Sequence, residues 1–567
     1  MSVENQKLER YSSDMFMKYV KNIEYDIKGN VKKLEFSAKE DFNFAYDVID
    51  QIALETPDKL AIIWANDKGE EKRITFGELK IETDKTASFL KSLGIKKGDA
   101  VMVLLKRHYE YWYAYPALHK IGAIAIPATT MLQVKDVVYR INAADIKGAI
   151  CTSEGDIAAI IESAEAECGV NLKKVMVNKT GNLRDGWLDF HAGKDNAPPF
   201  VRPTGSDATL GKDISLLFFT SGTTGMPKMV IHDFFYPLCH IFTAIFWHNV
   251  VDGGLHMTVA DSGWAKTAWG KMYTQWLGGS AQFIYDHDKF NAAEMLNIIS
   301  KYKVTTFCAP PTIYRFFIKE DLKKYDFSAL KYATIAGEAL NPEVYNQFLE
   351  GTGLKLKEGY GQTESFLITV NQIFTEPRPG SMGIPCPMVD VDIVDDDGNS
   401  VSAGVNGEIV FKTDKNNPAI GVFMGYYNDE AMTDGILGSD GIYHTGDIAW
   451  KDEDGYFWFV GRKDDIIKSS GYRIGPYEVE SVIMEHSAVL ECAVTGVDDE
   501  IRGQIVKATI VLAQGYEKSD ALAKEIQEYV KKHTAPYKYP RIVEFVDALP
   551  KTISGKIRRV SIRENKG

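Results

Sequence analysis

Cysteine is scarce in this chain: six in 567 residues, none in a C-x-x-C spacing. Cys151, Cys168, Cys239, Cys308, Cys386 and Cys492 are scattered singly. Neither a disulfide framework nor a zinc cluster is therefore expected, and a reducing cytosol fits. Long apolar runs are missing too. The stretch from Leu238 to Val251 is broken by His240, His248 and Asn249 and is too short to span a bilayer. The start, Met1-Ser-Val-Glu-Asn-Gln-Lys7, lacks the apolar core of a secretory signal. Basic charge is in deficit, with 65 Lys+Arg against 78 Asp+Glu and a net charge of −13. That balance argues against a nucleic-acid partner while leaving room for a local basic patch. Repeats and low-complexity tracts are also absent. What is present, 45% hydrophobic and 25% charged residues over a length too great for one core, describes a globular protein of several domains.

Short apolar strands alternate with amphipathic helices along most of the chain. Ala100–Leu105, Ala123–Pro127, Val304–Phe307 and Tyr332–Ile335 are examples, and this alternation predicts a mostly parallel sheet with ligands at its strand ends. From about Met388 the texture changes. Val389–Val394 and Gly407–Phe411 alternate around an Asp396-Asp-Gly-Asn399 turn, and a second hairpin turns at Lys451–Gly455, so a β-rich piece is expected near residues 385–460. Beyond Gly461 follows a small α+β unit, with a helix near Pro476–Glu485 and strands near Leu490–Val497 and Gln504–Leu512.

After the strand-like Ile214–Phe219 comes Thr220-Ser221-Gly222-Thr223-Thr224-Gly225-Met-Pro-Lys228. Glycines, hydroxyls and a lysine offer backbone N–H groups, side-chain donors and a point charge to a polyphosphate. It is not a Walker A loop, because its lysine follows Met-Pro and no Ser/Thr comes next. In isolation such a loop is as often an ordinary turn. Far downstream, Pro550-Lys-Thr-Ile-Ser-Gly-Lys556-Ile-Arg-Arg559 carries a second lysine in a Gly-containing loop.

Both segments resemble the adenylate-forming superfamily of acyl-CoA synthetases, aryl-CoA ligases, firefly luciferase and peptide-synthetase adenylation domains. Gly337-Glu338-Ala339, Glu358-Gly359-Tyr360-Gly361-Gln362-Thr363-Glu364, Tyr443-His-Thr-Gly-Asp447 and Gly461–Arg473 follow in the family's order. The resemblance spans roughly residues 35–565, and medium-chain acyl-CoA synthetases look most similar. It implies an α/β fold: an N-terminal domain of two doubly wound αβ layers plus a distorted β-barrel, residues 1–461, and a small hinged α+β domain, residues 462–567. It also implies MgATP, coenzyme A and a carboxylic acid as partners.

The resemblance implies a role for each position. Asp447 accepts ribose hydroxyls, with Arg462 assisting; outside the motif it reads as a turn aspartate. Tyr360 places its ring against adenine, opposite Gly337-Glu338-Ala339, Gly359 and Gly361 leaving its face open; alone it would be a core tyrosine. Thr363 bonds the α-phosphate and Glu364 holds Mg²⁺, the alternative being a capping carboxylate. Lys556 bridges the substrate carboxylate and the developing charge. Cys308 reads either as a pocket wall or, more plainly, as core.

The C-terminal unit carries the signals for the second substrate. From Lys531 to Gly567 stand ten Lys/Arg against three Asp/Glu, a local net of +7. A basic tail alone is commonly a solvated face, but the resemblance points to Ser470, Gly471, Tyr472, Arg473, Arg502, Tyr539 and Arg541 as CoA contacts and to Lys468 near thioester formation. The implied reaction has two steps: carboxylate attack on the α-phosphorus, then a swing about Asp464 that removes Lys556 and presents CoA. The alternatives are delivery of the adenylate to another acceptor, a luciferase-like oxygenase, and a non-catalytic nucleotide sensor, which would be expected to lose Lys556 or Glu364. A homo-oligomer is compatible with this reading. Acetyl-CoA synthetases place a tryptophan where Gly361 stands, so an opened acyl pocket and acids of about three to ten carbons are expected, with Trp264, Trp269 and Lys266 on the far wall. The other reading of Gly361 is that backbone conformation alone requires it.

Overall fold

The computed structural model describes residues 16–220, 226–438, 440–470, 472–552 and 556–564. Two mixed sheets with parallel centres carry most of the chain. In the eight-stranded sheet the fully buried strands Ala100–Leu104 and Ile124–Pro127 lie side by side in parallel. Strands buried on both faces need no polar alternation, which is why these segments are continuously apolar. Ile214–Thr220 continues this sheet and pairs antiparallel with Lys228–Asp233, with Thr220 opposite Lys228.

The nine-stranded sheet runs in parallel through Leu255–Thr258, Thr306–Ala309, Tyr332–Ile335 and Leu356–Gly361. The strand expected over Val304–Phe307 starts two residues later. Lys303 occupies a left-handed turn (φ 56°), and Val304 packs into the core before the ladder begins. Both sheets deliver motif residues at the C-terminal ends of their parallel strands, where doubly wound folds bind ligands.

The β-rich piece is a four-stranded antiparallel sheet of Val391–Val394, Gly407–Lys412, Ile442–Lys451 and Phe457–Arg462. A bridge between Gly383 and Phe457 curls it back toward the larger sheet. From Arg462 the chain turns into a separate five-stranded sheet that begins at Ile467. Helices Pro476–Met484 and Asp520–His533 pack against it, and Arg559–Glu564 adds Ile562 beside Ala493 and Val511. The second shows how its sequence dictates its seat: Ser519 caps its N-terminus, and Leu522, Ile526 and Val530 recur at a helical spacing and are the buried residues. Among the described residues no helix is long and apolar enough to cross a membrane.

Candidate active site

Asp447 is the centre of the first cluster. It sits in the strand Ile442–Lys451 and is only 5% exposed. Its Oδ2 accepts from the Tyr360 hydroxyl and from Gln362 Nε2 (2.7 Å), while Arg462 Nη1 lies 3.4 Å from Oδ1. Burial pushes the carboxyl up, and Arg462 with these two donors opposes that. The second oxygen, Oδ1, is therefore the less engaged of the two. Gln362 also donates to the Thr445 carbonyl (2.9 Å) and accepts from Tyr443 (2.6 Å). With its amide so occupied, Gln362 is a strut beneath Asp447 rather than the direct nucleotide contact expected of it.

A second cluster surrounds Thr363 and Glu364. Thr363 offers its carbonyl to His232 Nε2 at 2.7 Å. A carbonyl only accepts, so Nε2 carries the proton, and burial, holding this histidine near a pKa of about 4, keeps the ring neutral. Glu364 Oε1 accepts from the Tyr426 hydroxyl at 2.8 Å, and the Lys228 ammonium lies 5.1 Å from the Tyr426 ring centroid. Neither His232 nor Tyr426 was singled out from sequence. Ser221, Gly222, Thr223, Thr224, Gly225 and Gly471 lie outside the described residues.

Gly337 has φ 112°, and nothing lies within 4 Å of where a Cβ would stand. That open, left-handed position forms a cradle an L side chain would both strain and fill. Just before it, the Ala336 carbonyl accepts from Lys266 Nζ at 3.0 Å. Glu338 is held by Arg315 (3.4 Å) from the helix Pro311–Phe317, and Ala339 completes the turn half-buried. Glu358 is buried, with its carboxyl pushed well up by desolvation. Lys266, Trp264 and Trp269 are half-buried on one segment, and the Trp269 ring stacks near His240 and His248. Desolvation lowers the Lys266 ammonium, while Cys308 and Glu338 raise it; Cys308 is thus a buried cysteine that nonetheless borders this wall.

Gly361 corrects an expectation. A Cβ there would stand 2.2 Å from the Phe366 carbonyl oxygen, so no side chain of any size could project from it without moving the backbone. The backbone therefore requires glycine here, at a register shift between Tyr360 and Gly361, which is the second of the two readings of this position. At Gly359 a Cβ would likewise meet the Trp247 indole, at 3.0 Å.

Lys556 reaches the same site from the other end of the chain. The Thr552 N–H donates to the Lys556 carbonyl (2.7 Å), and the Lys556 N–H donates to Thr552 Oγ1 (3.1 Å). Its charge lies near enough to act on both Asp447 and Lys266, lowering each pKa. The expected CoA residues gather elsewhere on the C-terminal sheet. Arg502 binds the Ser470 hydroxyl (3.3 Å), and Arg541 binds the Tyr539 hydroxyl (2.9 Å). Tyr472 stacks on Tyr537 at 4.0 Å, and Arg473 pairs with Asp396. Lys468 is exposed, in register with Arg473. Asp464 follows Arg462 in the turn and pairs with its guanidinium at 3.6 Å.

A family model described as AMP-binding enzyme matches residues 49–427, and one described as AMP-binding enzyme C-terminal domain matches residues 478–556. This chain belongs to the AMP-binding enzyme family. Among its relatives, the mitochondrial acyl-coenzyme A synthetase ACSM4 of Rattus norvegicus is 40% identical over 94% of this chain and 92% of its own length. The mitochondrial ACSM3 of Mus musculus is also 40% identical, over 93% and 90%. Similar solved structures include an anthranilate CoA ligase in complex with anthranoyl-AMP (28% identity, TM-score 0.84, covering 93% of this chain and 98% of that one). An acyl-CoA synthetase of Brucella canis matches at 31% identity and a TM-score of 0.70, over 92% and 94%. These relatives overturn the cytosolic expectation, since the curated ones are named mitochondrial; scarce, unpaired cysteines fit any reducing compartment and could not separate the two.

Proposed function

We propose that this AMP-binding enzyme is an ATP-dependent acyl-CoA synthetase that forms an acyl-adenylate from a short- to medium-chain carboxylic acid and passes the acyl group to coenzyme A. The observation that carries the reading is the nearness of the Lys556 charge to Asp447 and to Lys266. It supports a site in which a substrate carboxylate attacks the α-phosphorus beside a positive charge, with pyrophosphate leaving. No covalent enzyme intermediate is needed, so positioning and charge stabilisation account for most of the rate. Tyr360 and the Gly337 cradle would flank adenine, Asp447 Oδ1 and Arg462 the ribose, and Thr363 and Lys228 the phosphates.

Magnesium is tested by the donor set. Among the described residues no group of three or more His, Cys, Asp or Glu is gathered for a metal. One tethered carboxylate, Glu364, fits a cation that takes most of its oxygens from phosphates and water. When bound, such a cation would neutralise phosphate charge; Tyr426 keeps Glu364 in place for it.

The clustering of Arg502 with Ser470 and of Arg541 with Tyr539 favours CoA as the acceptor over a carrier protein. Acyl selectivity would lie with Trp264, Lys266 and Trp269, because Gly361 offers no room. The test combines a panel of carboxylic acids, with and without CoA, with the variant Lys556→Ala. AMP release should need both acid and CoA. The variant should lose at least about a hundredfold in ATP–pyrophosphate exchange while still converting presynthesised acyl-adenylate. AMP release independent of CoA would point to another acceptor, and absence of exchange with every acid would leave only nucleotide binding.

A further inference from the structure

Asn341 caps two helices at once, one on each side of the turn at Arg462–Asp465. Its Oδ1 accepts from the Glu343 N–H at 2.7 Å, which caps the N-terminus of Pro342–Thr352. Its Nδ2 donates to the Ser481 carbonyl at 3.1 Å, in the last turn of Pro476–Met484. That helix tightens at its end, where the Glu485 N–H turns to the Val482 carbonyl, and the Ser481 carbonyl is left to the amide. Asn341 is 8% exposed, so water is a poor substitute for either partner.

The neighbours make this contact consequential. Asn341 lies directly downstream of Gly337-Glu338-Ala339, the turn that forms the adenine cradle. Next to Ser481, Glu480 grips Arg559 with 2.7 Å contacts to both carboxylate oxygens, and Asp465 in the turn binds Arg563 at 2.7 Å. Arg559 follows closely on Lys556. The helix that Asn341 holds is thus clamped to the segment that carries the catalytic lysine and to the turn itself. Tyr477, in the first turn of the same helix, packs edge-on to Phe459 at 5.9 Å and adds an apolar contact across the boundary.

We propose that Asn341 is a positioning residue, a latch that holds the C-terminal unit in the adenylate-forming arrangement through the Ser481 carbonyl. This rests on the reading that a second arrangement serves thioester formation. In that second arrangement the amide would part from Ser481, while its cap on Pro342–Thr352 would persist. Latch and cap are separable because they use opposite ends of one amide.

Asn341→Asp separates them. It keeps an oxygen for the Glu343 N–H and sets a second oxygen against the Ser481 carbonyl. ATP–pyrophosphate exchange should fall about tenfold, the order expected when a buried carbonyl loses its donor. Conversion of presynthesised acyl-adenylate by CoA should be unchanged or faster. Should the carboxylate variant fail to fold, Asn341→Ser carries the same expectation, since its hydroxyl can cap but is too short to reach Ser481. A proportional loss in both half-reactions, or unchanged exchange, overturns the latch. The hinge variant Asp464→Pro serves as the comparison: a split there with none in the Asn341 variants removes the latch alone. No split in either removes the two-arrangement reading itself.

Discussion

Asp233 ends the strand Lys228–Asp233 and takes the N–H groups of Phe235 and Tyr236 onto one carboxylate oxygen, each at 3.0 Å. Desolvation nonetheless outweighs these bonds and pushes its pKa from 3.8 up to about 7. Between those values the folded chain keeps a proton that the unfolded chain has lost. The group therefore favours folding at the acid end of that window, and its contribution is lost as pH rises through about 7. Asp233→Asn retains an acceptor for the two N–H groups without the charge. The variant should be more stable than the parent above pH 7, with a flatter urea midpoint between pH 4 and 7; a pH dependence unchanged by the substitution would contradict the assignment. The same scale shows why some site residues were legible and others were not. Lys556, Asp447 and Glu364 bring charges that only certain chemistry needs, within motifs that can be read in order. His232 and Tyr426 act through an imidazole N–H and a phenol on partners 131 and 62 residues away, and nothing local to either marks that role.

At the scale of elements, the strands and the small C-terminal unit lie nearly in register with their sequence patterns. Tyr332–Ile335 and Gly407–Lys412 sit where their apolar patterns put them. Gly361 shows the limit: composition reveals a missing side chain, but only the path of Phe366 reveals that no side chain would fit. The turn after Arg462 bears on function more directly. Lys463 N–H bonds the Gly446 carbonyl (2.8 Å), its ammonium pairs with Glu408, and Asp465 anchors Arg559 and Arg563. Asp464 lies between these two anchored neighbours, so rotation about its backbone would turn one sheet against the other. Proline there fixes φ near −65°. Asp464→Pro should keep ATP–pyrophosphate exchange within about threefold of the parent and lower thioester formation by at least tenfold, on the scale seen when positioning fails. Full steady-state turnover with CoA would show that no rotation at this residue is needed.

Across the whole molecule, charge is divided unevenly. The chain is −13 overall, yet the segment from Lys531 onward is strongly basic, and Arg473 on the C-terminal sheet and Arg502 in the turn before its strand Gly503–Leu512 are exposed. Exposed charges are screened over about 10 Å at 0.1 M salt and over a shorter range above it. By contrast, Lys228, Arg462 and Lys266 are half-buried among tyrosines and tryptophans, where screening is weaker. The two anionic substrates should therefore respond differently to the same salt. Raising KCl from about 0.05 to about 0.5 M should increase the KM for CoA roughly five- to tenfold while moving the KM for ATP in pyrophosphate exchange by less than about twofold. Arg502→Ala should raise the CoA KM at low salt and blunt its further rise. An equal response of both substrates would mean that the basic surface does not gather CoA, and that these arginines and lysines serve only to solvate the C-terminal face.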